Sequence, residues 1–124
     1  MGFALAKRLR ELCGASARLR QEFPHNSGAA EAEARRLMRE HGEESFFQAV
    51  NVGNRNGKTS LMFAVQLRGS ETSFVRFLVL ECGADVNAAT RRGHTPLIYA
   101  SGRGHDEVAA FLLVSSFSCD LLSQ

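Results

Sequence analysis

Residues 86–113 read VNAATRRGHTPLIYASGRGHDEVAAFLL. The residue types lay out a path: an extended arm, a tight turn ending at Gly93, a short helix, a glycine turn and a second helix. Thr95 can cap the first helix, and Pro96 suits its first position, where a missing N–H is no loss. Gly104 turns the chain and Asp106 can cap the second helix, whose apolar positions are Val108, Ala109, Phe111, Leu112 and Leu113. Such a unit has an apolar side that it cannot cover alone. It is also written earlier in the chain. Residues 50–64 (VNVGNRNGKTSLMFA) align with 86–100 (VNAATRRGHTPLIYA) without a gap. Val50/Val86, Asn51/Asn87, Arg55/Arg91, Gly57/Gly93, Thr59/Thr95, Leu61/Leu97 and Ala64/Ala100 all sit 36 apart. Seven identities in fifteen positions exceed the roughly one that ordinary composition would give. Self-similarity at this period predicts a stacked array.

These residues resemble the ankyrin repeat. Gly93-His94-Thr95-Pro96-Leu97 is similar to that family's helix-opening signature. Gly104-His105-Asp106-Glu107-Val108 resembles its turn into the second helix, and Gly83-Ala84-Asp85-Val86-Asn87 its link into the next finger. The three signatures fall in the family's order over about 50–113. The repeat-signature positions are Gly57, Thr59, Leu61, Ala64, Gly83, Asp85, Gly93, Thr95, Pro96, Leu97, Ala100, Gly104 and His105. The earlier copy departs from the pattern. From Thr59 to Asn87 is 28 steps, where the family has about 25, and the surplus falls near Leu67–Thr72.

The chain has 124 residues, which predicts one compact unit. Hydrophobic content of 44% and charged content of 23% are ordinary globular values. A net charge of +2 is too small to predict nucleic-acid binding. No apolar run approaches the ~18 residues of a membrane span. Cys13, Cys82 and Cys119 are odd in number and far apart, so they fit neither a disulfide framework nor a zinc spacing, and free thiols suggest a reducing compartment. There is no Asn-x-Ser/Thr glycosylation acceptor.

Residues 3–23 read as one helix, with Leu5, Leu9, Leu12, Leu19 and Phe23 on one face and Ser16 interrupting. Gly14 weakens its middle by about 1 kcal/mol relative to alanine. Lys7, Arg8, Arg10, Arg18 and Arg20 make the segment basic. It reads as a solvated face over a packed stripe or, alternatively, as a mitochondrial presequence. Glu11 and the lack of early hydroxyls count against the latter. Gly2 lacks the hydroxyl that myristoylation wants at position 6, which is Ala6. A turn follows at Phe23–Gly28. Ser27 can cap a helix over about 29–41 that Gly42 can stop in the left-handed conformation. Residues 3–42 thus suggest a degenerate repeat or a helical cap, as expected at the end of an array. Phe46 and Phe47 should be buried, but five residues too many separate Gly42 from the first finger. Outer helices are expected over about 71–81, after a break at Gly69-Ser70, and over 107–115. The pattern fails after Val114.

Catalysis finds no constellation. Gly53–Thr59 has three residues between its glycines where a phosphate loop needs four, and no apolar strand leads into it. His25, His41, His94 and His105 are scattered. His41 sits at a helix end, where a cation is favoured. The resemblance assigns His94 and His105 to turn hydrogen bonds, and Asp85 reads as a turn residue rather than an acid. No His-Glu-x-x-His, Cys-x-x-Cys or serine-elbow pattern exists. Neither a cofactor nor a metal is expected.

The surviving signal is charge. Arg55 and Lys58 lie on the first finger, Arg91 and Arg92 on the second, and Arg103 after the second inner helix. Stacking translates equivalent positions into rows, so these cations can form one positive ridge. The ridge reads either as plain solubility or as a surface for an acidic segment. Met62 and Ile98 stand where the ankyrin motif often has histidine. That substitution either places apolar side chains on the inner face or tightens the packing.

The sequence therefore predicts an all-α ankyrin-repeat solenoid of stacked helix-turn-helix units with short β-hairpin fingers. Residues 1–49 form an N-terminal helical cap or degenerate repeat, 50–114 the repeats, and 115–124 a divergent or frayed tail. The resemblance implies a non-catalytic adaptor or scaffold that binds a protein on its finger tips and inner helix faces, and the basic ridge suggests an acidic segment of that partner. Candidate contacts are Asn54, Arg55, Lys58, Met62, Thr90, Arg91, Arg92, Ile98 and Arg103. The alternative is a substrate-recruiting segment of a larger enzyme or adaptor. The expected location is cytoplasm or nucleus, with mitochondrial targeting by residues 1–23 as the other option.

Overall fold

A computed structural model describes the backbone of residues 2–23, 28–67 and 72–122, and the side chains of these except 2–3 and 117–122. Among the described residues all regular structure is helical: α1 (Gly2–Arg10), a wide π-type turn (Glu11–Ala15), α2 (Ala17–Glu22), α3 (Ala29–His41), α4 (Glu43–Val50), α5 (Ser60–Leu67), α6 (Thr72–Leu80), α7 (Pro96–Gly102) and α8 (Asp106–Leu122). The helices form two rows. The inner row runs from α1 and the π-type turn to α5 and on to α7. The outer row runs from α3 to α6 to α8. Leu61 on α5 and Leu97 on α7 therefore lie in adjacent layers, as the 36-residue period requires.

The inner row explains the composition of α5. Helices on both flanks leave it no solvated stripe, so Leu61, Met62, Ala64 and Val65 are all buried. The outer row buries Ala30, Ala34 and Leu37 of α3, Phe74, Val75, Phe77 and Leu78 of α6, and Val108 and Leu112 of α8. At each outer junction a guanidinium stacks on a phenylalanine. Arg35 lies 4.6 Å from the Phe77 ring centre and Arg76 5.1 Å from that of Phe111. Contacts of this kind are worth about 0.5–1 kcal/mol each at exposed sites.

Leu97 is only half-buried, whereas Leu112 is 1% exposed. Leu112→Ala is expected to cost about 2–5 kcal/mol and Leu97→Ala clearly less. Urea-unfolding midpoints of the two variants check this. Equal losses would contradict the placement of α8 against α6.

The first unit differs from its reading as one helix over 3–23. Gly14 adopts φ 139°, ψ −8°, which no helix tolerates, and the chain breaks there. Ser16, the apparent interruption in the apolar stripe, is the N-cap of α2: its Oγ accepts the Leu19 N–H at 3.3 Å. The stripe itself is buried at Leu5, Leu9, Leu12 and Leu19. Two of the basic side chains are structural rather than merely solvated. The Arg10 guanidinium donates to the Val52 carbonyl at 2.8 Å, and Arg20 donates to the Gly14 carbonyl. Gly42 ends α3, its N–H donating to Met38 O at 2.9 Å. Its φ is positive at 87°, but its ψ of 148° is extended rather than left-handed helical, so the chain swings out and re-enters a helix.

That helix, α4, accounts for the surplus residues after Gly42. Phe46, Ala49 and Val50 are buried, with α1 and α3 as its neighbours. Phe47 is half-buried, its ring edge-on to Phe46 with centres 6.4 Å apart. At the other end, α8 runs on to Leu122 rather than stopping near 115. Asp106 and Glu107 fall in its first turn. The Ser116 hydroxyl, donating to Asn87 Oδ1 at 2.8 Å, ties the extension to the link before the second finger. The readings of His25, Ser27, Gly69, Ser70 and the Cys119 side chain lie outside the described residues. Cys13 and Cys82 are buried and not joined in a disulfide, and burial pushes the Cys82 thiol up to about 12.

Candidate partner-binding surface

The fingers are tight turns without strand pairing among the described residues. Asn54 N–H donates to Lys58 O at 3.0 Å, and Thr90 N–H to His94 O at 2.9 Å. Inside the first finger Asn54 Oδ1 accepts the N–H groups of Asn56 and Lys58, both at 3.0 Å. Inside the second, Thr90 Oγ1 accepts those of Arg92 and His94, at 3.3 and 3.1 Å. Two different side chains at equivalent positions thus perform one task. The fingers also hold each other, because Arg91 N–H donates to Asn56 O at 2.9 Å. Gly57 supplies the positive φ of 79° that the turn beside this contact requires and that L side chains rarely adopt. Behind the fingers Asn51 clamps the link between units. Its Nδ2 donates to Gly83 O at 3.0 Å and its Oδ1 accepts from Asp85 N–H at 2.8 Å.

Between finger and inner helix lies a groove of about 540 Å³, lined by Asn56, Lys58, Thr90, Arg91, Arg92, His94 and Tyr99. A smaller hollow beside it is lined by Gln66, His94, Ile98, Tyr99, Gly102 and Arg103. Arg91, Arg92 and Arg103 are exposed, and Ile98 is 49% exposed. Lys58 is held differently from these. Its Nζ stands 4.4 Å from the Phe63 ring centre and 4.7 Å from that of Tyr99, with the Gln66 amide oxygen as acceptor. Burial, and secondarily the Arg103 guanidinium, hold its pKa below the usual lysine value.

The candidate contacts separate accordingly. Lys58, Arg91, Arg92, Ile98 and Arg103 share the grooved face. Arg55 is exposed on the first finger but does not line the groove. Met62 does not belong on a contact surface: it is 0% exposed, packed within α5, and its sulfur lies 3.5 Å from Thr59 N. Thr90 is 9% exposed with its hydroxyl committed inside the finger, and Asn54 commits its side-chain oxygen in the same way. Tyr99, His94 and Gln66 were missed, whereas Asn56 falls within the first-finger stretch from Asn54 to Lys58. The signal for Tyr99 was available, because it is the single tyrosine and follows Ile98 on an inner helix. His94 does use its backbone in the turn, but its ring is exposed and meets Tyr99 edge-on at 5.8 Å. Thr59 and Thr95 cap their helices, with Oγ1 accepting from Met62 N–H at 3.5 Å and Ile98 N–H at 3.4 Å.

A family model of ankyrin repeats, in three copies, matches residues 27–124. The chain belongs to the ankyrin-repeat family. The match extends on both sides of the segment in which the signatures are plain. Among curated relatives, "Ankyrin repeat, SAM and basic leucine zipper domain-containing protein 1" from Colobus guereza is 34% identical over 86 residues, 68% of this chain and 17% of that protein. The protein of the same description from Dasypus novemcinctus is 33% identical over 89 residues, 70% of this chain and 17% of its own length. That from Echinops telfairi is 40% identical over 58 residues, 45% of this chain and 12% of its own length. The ankyrin-repeat chain thus spans well under a fifth of the relatives it matches. Ankyrin repeats indicate a protein–protein interaction module. No described helix is long and apolar enough to cross a membrane.

Proposed function

We propose that this ankyrin stack is a non-catalytic adaptor that holds an acidic segment of a protein partner along its fingers and inner helix face. One observation carries the reading: Lys58, Arg91 and Arg92 converge on a groove whose wall includes Tyr99. Lys58 is partly desolvated beside another cation, so an incoming carboxylate would stabilise its charged form. Tyr99 and exposed Ile98 offer the apolar contact that rim charges lack, since aromatic and arginine side chains are the usual anchors of interfaces. Arg55 and Arg103 extend the positive field beyond the groove and favour association rate over affinity.

The test uses a synthetic peptide of alternating glutamate and leucine as probe, titrated against the intact chain. Arg91→Glu/Arg92→Glu is expected to weaken binding by roughly tenfold or more, mainly through slower association, and to leave the melting temperature unchanged. An unchanged affinity would make the ridge ordinary surface.

The relatives' longer chains favour a second reading, in which the repeats recruit a substrate or partner for a larger enzyme or adaptor. An additional domain in a longer transcript product would decide it. We further propose a cytoplasmic or nuclear location. Burial of Leu5, Leu9 and Leu12 in the stack supports residues 1–23 as the first layer rather than a mitochondrial address. Imaging of the intact chain on mitochondria would overturn this.

A further inference from the structure

A second groove, of about 680 Å³, lies between α4 and the end of α6, away from the finger tips. Its apolar surface comes from Phe47 and Leu80, and Leu80 is 66% exposed. Its rim carries Glu43, Glu44 and Glu81. We propose that this groove binds a protein segment that places one apolar side chain between basic residues.

Three features support this occupant. The wall is an insertion, since α4 supplies the residues by which the chain exceeds a plain repeat link between Gly42 and Asn51. Burying Phe46 explains why α4 packs, but not why its next residue, Phe47, faces a hollow with Leu80. The hollow is also preformed, because the edge-on Phe46 ring supports Phe47 and Asn51 fixes the neighbouring link through Gly83 and Asp85. A pocket of this size suits one large side chain with its neighbours. Charge then selects the partner. Among the described residues Glu43 and Glu44 enter no ion pair, and Glu81 meets Arg35 at 3.0 Å in a pair open to solvent. Both unpaired carboxylates lie in the first turn of α4 at exposed positions, so their charge is available to another molecule. The finger face carries the opposite sign, so a segment suited to one groove is repelled by the other.

The experiment is an NMR titration of the intact chain with a short capped peptide holding one leucine between arginines. Two controls replace the leucine by serine, or the arginines by glutamates. The expected result is saturable shifts confined to α4 and the end of α6, with Leu80→Ser and Glu44→Lys each weakening binding by at least about tenfold. Both substitutions are at exposed positions; Leu80→Ser should leave the melt unchanged and Glu44→Lys should lower it only slightly, through the first turn of α4. Equal binding of the serine control would remove the apolar anchor and overturn the proposal. So would shifts at Lys58 and Arg91 instead, or no shift at all. Self-association abolished by Leu80→Ser would make a second copy the occupant and likewise overturn it. Because the finger face is not involved, these outcomes leave the acidic-partner reading to its own test.

Discussion

Gly14→Ala is expected to destabilise the stack by about 3 kcal/mol or more, although the change adds only one methyl group. Two independent costs combine. The backbone at φ 139° lies where L side chains are rarely found, and such strain costs about 1–3 kcal/mol. The new Cβ would also stand 2.7 Å from Leu67 Cβ and 3.0 Å from Leu67 Cδ1. That clash is with the base of a side chain on α5, which cannot move without moving its helix, and overpacking of this kind costs about 1–3 kcal/mol more. Gly28→Ala provides the control. Its φ of 75° is also positive, but nothing lies within 4 Å of the added carbon, so only about 1 kcal/mol is expected from backbone strain. Urea unfolding of both variants separates the terms. Equal losses would mean that the turn at Gly14 does not rest on α5, and the first layer would have to be redrawn.

The same glycine shows what was readable in the sequence and what was not. The apolar stripe from Leu5 to Phe23 was correctly seen as buried along most of its length, yet it read as one helix. Leu12 and Leu19 stand seven positions apart, a helical spacing, so the apolar pattern gives no sign of the break at Gly14. Glycine followed two residues later by serine was the local sign of a helix end and a new cap. The second and third units were far more legible. Their turns depend on backbone rules that few residues satisfy: positive φ at Gly57 and Gly93, threonine caps at Thr59 and Thr95, and proline at the start of α7. Asn54 and Thr90 do the same work, but as a mismatch they gave no signal in the alignment. Length hid α4, since 8 residues are too few for helical periodicity to stand out. Beyond Val114 the serine-rich run has poor helix propensity, and it is tertiary contact, such as that of Ser116 with Asn87, that continues α8. On the surface, charge was legible from finger spacing. The burial of Met62 and the ring cradle around Lys58 depend on which helix lies alongside, and one unit's sequence cannot specify that.

Phe46→Ala is expected to be the most damaging single truncation, costing about 3–5 kcal/mol. The ring is 0% exposed and sits on the inserted helix where it packs against α1. Propensity alone cannot hold so short a helix, because isolated helices below about 12 residues are marginal in water. Without its anchor α4 should detach, and with it the cover over Leu5 and Leu9, which belong to the same buried cluster. The Arg10–Val52 hydrogen bond would lose its support from both sides. Phe47→Ala removes as many atoms from a half-buried ring and should cost much less. The location of the damage is as diagnostic as its size. In a stack each layer touches only its neighbours, so disturbance enters from the first layer and weakens along the row. Hydrogen exchange on Phe46→Ala should therefore show amides of α1, α3 and α4 losing protection before those of α7 and α8. Uniform loss across all helices would mean that the array unfolds as one block, and α4 would then be an ordinary part of a single core rather than the seal on its first layer.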